Sequence, residues 1–276
     1  MHTVFVAVWN STMSANSFFG KTDAFENWLN FLNFKAPTFL VLLEASGTMI
    51  DYSHIHEAGF DQIGWVDTQA KGGGTGEKPI AKSIVAFARK GKLRSGVEIE
   101  PTKGQTLMFP ELKQTRAALK ISVTTDGSTL TMWFMHANAS DVGGAAAVAA
   151  VENYLAHNHR SVVFADFNLK IEDAKKTAGK DVVIVHPVGP KHRELIFTNW
   201  NDKGFSCPSH DTLVSWGVDK NTTINKTIKT FGVIDYAMHS KDVTVTACPN
   251  AKDGVMLGSL LAQFDHFPTI YEVDWT

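Results

Sequence analysis

The sequence predicts an α/β fold, a sandwich of large sheets covered by helices. Three observations carry this reading. Short apolar runs rich in Val, Ile and Phe recur along the whole length, as strands do. Helical periodicity is confined to two segments. Those segments are interspersed among the strands, which places helices over the faces of sheets.

Strands are predicted at Val4–Trp9, Phe39–Leu43, Ser83–Ala88, Ala117–Val123, Leu130–Met135, Val162–Ala165, Val182–Val185, Glu194–Phe197, Thr230–Ile234, Val243–Ala247 and Phe267–Tyr271. Between the first two, Phe25, Trp28, Leu29 and Leu32 share one helical face after a Thr22 cap. Asp126-Gly127 separates two of the runs and signals a tight hairpin. The second helix is read over Val142–Ala156, where Val148, Val151 and Leu155 recur at spacings of three and four. No repeat or linker interrupts the chain, so residues 1–276 are expected to form a single domain.

Composition excludes several classes. With 44% hydrophobic and 20% charged residues, a disordered tail and a disulfide scaffold are both ruled out. No apolar run approaches the ~18–20 residues that cross a bilayer. Lys and Arg number 26 against 28 Asp and Glu. That balance argues against a broad basic surface but leaves room for a local basic groove. Cys207 and Cys248 lack zinc spacing and read either as one bridge in a secreted protein or as two buried thiols. The amino terminus shows no signal-peptide pattern, which leaves a cytoplasmic protein or a mature secreted one. The glycine-rich stretch Lys71–Gly76 fails as a phosphate loop, because Lys78 is followed by Pro79.

The chemistry lies at the ends of the strands. The predicted runs end in Asn10, Glu44, His136, Asp166 and Asp235, and Asp265-His266 precedes the last one. Asn138 and Asn168 each follow two residues behind a polar strand end, and alternation would point them into the same cleft. Taken singly, each residue reads as a turn or cap residue, since strands often end in Asn or Asp. Together they make a charge problem, because two like charges about 4 Å apart repel by about 1–4 kcal/mol. A divalent cation would resolve it, and oxygen donors without thiolates favour Mg²⁺, Mn²⁺ or Ca²⁺. The implied reaction is metal-assisted attack of water on a phosphate ester.

Trp9-Asn10, Leu43-Glu44-Ala45, His136-Ala137-Asn138-Ala139, Ala165-Asp166-Phe167-Asn168, Ile234-Asp235-Tyr236-Ala237 and Asp265-His266-Phe267-Pro268 follow one another in that order. This succession resembles the endonuclease/exonuclease/phosphatase superfamily, and most closely the catalytic nuclease subunit of cytolethal distending toxins. The resemblance implies a deoxyribonuclease I-like four-layer sandwich of two packed mixed β-sheets flanked by helices. It implies Glu44 as principal metal ligand, assisted by Asn10 and Asp265, with Mg²⁺ as the expected ion. His266, oriented by Asp235, would be the general base, and His136 the acid. Asp166 and Asn168 would position the scissile phosphate or a second cation, and Arg116 would touch substrate phosphate. Asn138, in the His136 word, and Arg89, the member of its basic cluster nearest a strand, are further candidates for substrate contact. The implied substrate is DNA. As a toxin subunit the protein would be secreted, partnered by delivery subunits and active in a host nucleus. The same site would also serve a phosphoinositide phosphatase or a sphingomyelinase. A binding module that has lost catalysis is the non-enzymatic alternative.

Two departures from the family words stand out. Ala165 replaces the usual glycine and Phe264 the usual serine. The glutamate that partners the acid histidine in deoxyribonuclease I has no evident counterpart, Glu77 being nearest. Among other features, Arg89, Lys90, Lys92 and Arg94 read chiefly as a solvated hairpin tip around Gly91, and His54 and His56 as surface polar groups.

Overall fold

A computed structural model describes residues 1–11, 37–45, 53–67, 83–91, 96–101, 118–137, 141–187, 234–247, 266 and 269–276. The strands are β1 His2–Asn10, β2 Phe39–Ala45, β3 Phe60–Asp67, β4 Ser83–Arg89, β5 Val97–Pro101, β6 Leu119–Thr125, β7 Ser128–His136, β8 Ser161–Asp166, β9 Val182–Val185, β10 Asp235–Ser240, β11 Val243–Ala247 and β12 Thr269–Trp275. Helices α1 Ser53–Glu57, α2 Asp141–His157 and α3 Ile171–Thr177 complete the described elements.

They form two six-stranded sheets, ordered β11-β12-β1-β2-β4-β3 and β5-β6-β7-β8-β10-β9. Both sheets are mixed. β1 runs parallel to β2 and β7 parallel to β8, while the other pairs are antiparallel. Parallel neighbours need a crossover, and α2 supplies it between β7 and β8.

Period-two alternation builds the core. Val4, Val6 and Val8 of β1, Phe39 and Val41 of β2, Met132 and Phe134 of β7, and Val162 and Phe164 of β8 meet in one buried cluster between the sheets. Phe164 lies at its centre, 5.3 Å from the Phe134 ring and 5.1 Å from that of Tyr271. Residues of the opposite parity on the second sheet, Trp133, Met135, Val163, Ala165, Tyr236 and Met238, pack under α2 through Val148, Val151 and Leu155. That is the helical face expected from the sequence. The other face of the first sheet is buried too, at Ala7, Leu40, Leu42, Val85 and Phe87. Burial on both faces of both sheets is what a four-layer sandwich requires.

Of the strand expected at Thr230–Ile234, only Ile234 is among the described residues, and it precedes β10, which opens at Asp235. β3 and β5 were not expected, because FDQIGWVD and VEIEP carry polar residues and short alternations instead of an apolar run. His54 and His56, expected as surface polar groups, lie on α1, where His56 is exposed and His54 half-buried. The first predicted helix, the Glu194–Phe197 strand, Cys207, Cys248 and the Lys71–Gly76 stretch lie outside the described residues.

Candidate active site

Register brings the strand ends to one edge. Asn10 pairs with Leu43 across β1 and β2, His136 with Asp166 across β7 and β8, and Asp235 with Asp166 across β10 and β8. β10 is antiparallel to β8, so its first residue sits beside the last residue of β8. His266 precedes β12, which pairs antiparallel with β1 as far as Val8 and Thr269, and so lies near the Asn10 end.

Parity then aims four of these side chains inward. Asn10 continues the series Val4, Val6, Val8, and His136 continues Leu130, Met132, Phe134. Asp166 continues Val162, Phe164, while Asp235 precedes Ala237; all of these apolar residues belong to the inter-sheet cluster. Glu44 has the wrong parity, because Phe39, Val41 and Leu43 are the inward residues of β2. A register shift between Leu42 and Ala45 and a left-handed Glu44 (φ 52°) accompany its turn toward His136. Such a backbone costs a non-glycine residue on the order of 1–3 kcal/mol and needs surrounding structure to hold it.

The groups interlock around Asp166. Its Oδ2 accepts from Asn10 Nδ2 at 2.8 Å and lies 3.2 Å from His136 Nε2 and 3.8 Å from His266 Nε2. Oδ1 accepts from the backbone N–H of Asn168 at 2.9 Å. Burial alone would raise the Asp166 carboxyl, but the charge and hydrogen bond of His136, with His266 and the Asn168 N–H, outweigh it and hold the pKa at about 2. This carboxylate therefore stays ionised at neutral pH.

The two histidines are held differently. His266 Nδ1 lies 2.8 Å from Asp235 Oδ2, and Trp9 Nε1 donates to the His266 carbonyl at 3.1 Å. A proton on Nδ1 directed at Asp235 leaves the Nε2 lone pair to accept, and the Asn10 amide nitrogen faces that atom at 3.4 Å. That is the form a general base needs. His136 has Glu44 Oε1 3.1 Å from Nδ1, while Nε2 faces both Asp166 Oδ2 at 3.2 Å and the Asn168 amide nitrogen at 3.3 Å; a ring protonated on both nitrogens would donate to the two carboxylates. That is the form a general acid needs.

Asn168 joins the site by a turn, not by the extended continuation expected from the sequence. β8 ends at Asp166, and Asn168 is left-handed (φ 51°). Its Nδ2 donates to the Ala137 carbonyl at 3.0 Å and lies 3.3 Å from His136 Nε2. The partner for His136 that the sequence did not reveal is Glu44, since nothing in the letters shows that the β2 irregularity will redirect it.

Asp265, Asn138 and Arg116 lie outside the described residues. Arg89 does not join the cluster. It lies at the far end of β4, whose Ala88 pairs with Phe39 at the start of β2, the end opposite Glu44. There its Nε donates to the Pro37 carbonyl at 3.2 Å and its guanidinium lies 4.5 Å from the Phe60 ring centroid. A substrate contact by Arg89 would therefore lie away from the strand-end cluster.

The donor set fits a hard cation. Asn10 and Glu44 bring side-chain oxygens to this edge, Glu44 with a second one beyond that beside His136. Asp166, Asp235 and His266 also offer ligand atoms within 4.8 Å of one another. Oxygen donors without a thiolate suit Mg²⁺, Mn²⁺ or Ca²⁺.

No family model and no curated protein matches the chain in sequence. Solved structures do match it in fold. Danio rerio TDP2 complexed with single-strand DNA product superposes with a TM-score of 0.57 at 14% identity, covering 99% of this chain and 100% of that one. The human Nocturnin catalytic domain with bound sulfate anion gives 0.58 at 13% identity, covering 99% and 95%. An endonuclease/exonuclease/phosphatase from Bacteroides vulgatus gives 0.58 at 14% identity, covering all of both chains. The fold is therefore the deoxyribonuclease I-like one of endonuclease/exonuclease/phosphatase proteins. At this level of identity the likeness concerns architecture, and the chemistry rests on the chain's own side chains.

Proposed function

We propose that this protein is a divalent-metal-dependent phosphodiesterase that cleaves DNA as an endonuclease. One observation carries the reading: two histidines in complementary hydrogen-bonding states flank one buried, ionised Asp166 at the edge where both sheets end. Glu44 and Asn10, with Asp265 expected beside them, would hold the ion, which supplies Lewis-acid polarisation of a phosphoryl oxygen. His266 takes a proton from the attacking water at Nε2, and Asp235 keeps its ring in the right tautomer and orientation. His136 delivers a proton to the leaving oxygen. Asn168 and Asp166 fix the position of His136 beside the scissile phosphate.

DNA as substrate is supported by the D. rerio TDP2 complex with a single-strand DNA product. The sulfate of Nocturnin supports a site for a tetrahedral oxyanion in this fold. Arg116 and Asn138 are kept as substrate contacts on the strength of the family words alone. Those words span residues 9 to 268, and on them we take residues 1–276 as one catalytic domain. They also support the toxin reading, in which the protein is a secreted nuclease partnered by delivery subunits.

Incubation with supercoiled plasmid and Mg²⁺ tests the substrate. Nicked circles that EDTA suppresses are expected. Intact plasmid, with phosphate released from a phosphoinositide or phosphocholine from sphingomyelin, would move the substrate to the second class and reject the nuclease.

A further inference from the structure

Gly144 lies in the first turn of α2, where glycine weakens a helix by giving up the backbone restraint of a side chain. Its surroundings explain its presence. A Cβ built there would stand 2.7 Å from the Phe167 carbonyl oxygen, 2.9 Å from that of Asn168 and 3.0 Å from the Asn168 carbonyl carbon. All three neighbours are backbone, so none can swing aside as a side-chain tip would. Gly144 is itself buried.

The turn it touches is pinned from the other side. The Ala137 N–H donates to the Asp166 carbonyl at 2.8 Å, and the Phe167 N–H donates to Ile234 at 2.8 Å. The Asn168 N–H is tied to Asp166 Oδ1 at 2.9 Å. The turn thus cannot retreat from a bulkier residue 144 without breaking bonds that join β7, β8 and the start of β10. The same turn carries the Asn168 amide to Ala137 and His136.

We infer that Gly144 is a positioning residue: the close approach of α2 to the 166–168 turn sets the left-handed Asn168 and, through its amide, the placement of the His136 ring. The catalytic consequence rests on the phosphodiesterase reading; the mechanical link does not. Helix propensity predicts the opposite outcome from this link. If Gly144 were merely a helix residue, alanine would strengthen α2 and leave His136 alone.

The test is Gly144→Ala, read first by the ¹⁵N–¹H signals of ring-labelled histidines in the metal-free protein at fixed pH. The His136 ring signals are expected to move while those of His239, at the far end of β10, stay. Unmoved His136 signals would overturn the inference. Ala149→Gly, on the exposed face of the same helix, and Gly179→Ala, with nothing within 4 Å of its would-be Cβ, should leave the His136 signals in place. A shift in either control equal to that of Gly144→Ala would make the effect general and overturn it. With Mg²⁺ and plasmid, Gly144→Ala should lose at least tenfold in kcat with a smaller change in KM. Wild-type protein without hydrolysis would defeat the functional reading, while the ring signals still decide the mechanical one. Should Gly144→Ala not fold, the wild type decides: a nuclear Overhauser contact between a Gly144 Hα and the Leu169 amide proton is expected, and its absence overturns the close approach.

Discussion

Each strand-end residue takes its role from what faces it. Asp235 has one oxygen on His266 Nδ1 and so decides which ring nitrogen of His266 is basic. Replacing His266 by alanine is expected to lower kcat by about 10²–10⁴, the usual contribution of a placed acid or base. Asp235→Asn should fall in the same direction, because an amide nitrogen in that place would favour the wrong tautomer. Measuring kcat and melting temperature side by side checks both; an Asp235→Asn protein that keeps its rate would contradict the dyad. Much of this site is legible in the letters. Asn10, His136 and Asp166 each close an apolar run whose parity points them inward, and alternation is a sequence property. Glu44 and Asn168 were named from sequence, but their geometry was not legible. Both depend on left-handed backbones (φ 52° and 51°) that only surrounding contacts impose on such residues.

Elements were legible where their apolar signal is dense. β9 and β11 match the sequence expectation residue for residue, and α2 extends the expected helix by one residue at each end. β10 was not expected, because its strand, DYAMHS, mixes polar and apolar residues without a dense apolar run. The β6–β7 hairpin shows local chemistry winning outright. Asp126 and Gly127 both have positive φ (50° and 78°), the type I′ geometry that matches strand twist, and Thr125 pairs directly with Ser128. Gly127→Val is expected to destabilise the protein by about 1–2 kcal/mol, since a β-branched residue resists that conformation while space around it is open. Urea denaturation measures this, with Gly179→Ala as a control at a glycine whose φ is not positive. A Gly127→Val midpoint equal to wild type would show that the turn does not need its glycine.

The molecule as a whole is a device for holding charge at the rim of an apolar sandwich, and its stability should record this. Burial pushes the His239 imidazole below its ordinary value, more than the Ser240 carbonyl at 2.8 Å and Asp242 restore. The unfolded chain then binds the proton more tightly, so stability is full above about pH 6.5 and declines as pH falls below it. The Asp166 carboxyl is lowered as well, to about 2, and the stability this confers is lost only in stronger acid, as pH falls from about 4 through 2. Melting temperature recorded from pH 8 to 5 should therefore fall, and His239→Gln, which keeps a hydrogen-bond donor, should flatten that fall. An unchanged slope would remove His239 from the account. The larger claim is that residues from both sheets act as one phosphodiester-cleaving centre, and a substrate with no sequence, groove or headgroup tests it most directly. Hydrolysis of bis(p-nitrophenyl) phosphate, followed by release of p-nitrophenolate, should require Mg²⁺ or Mn²⁺, stop with EDTA, and drop by at least about a hundredfold in His136→Ala and His266→Ala alike. Full activity in either variant, or no metal-dependent hydrolysis by the wild type, would contradict it.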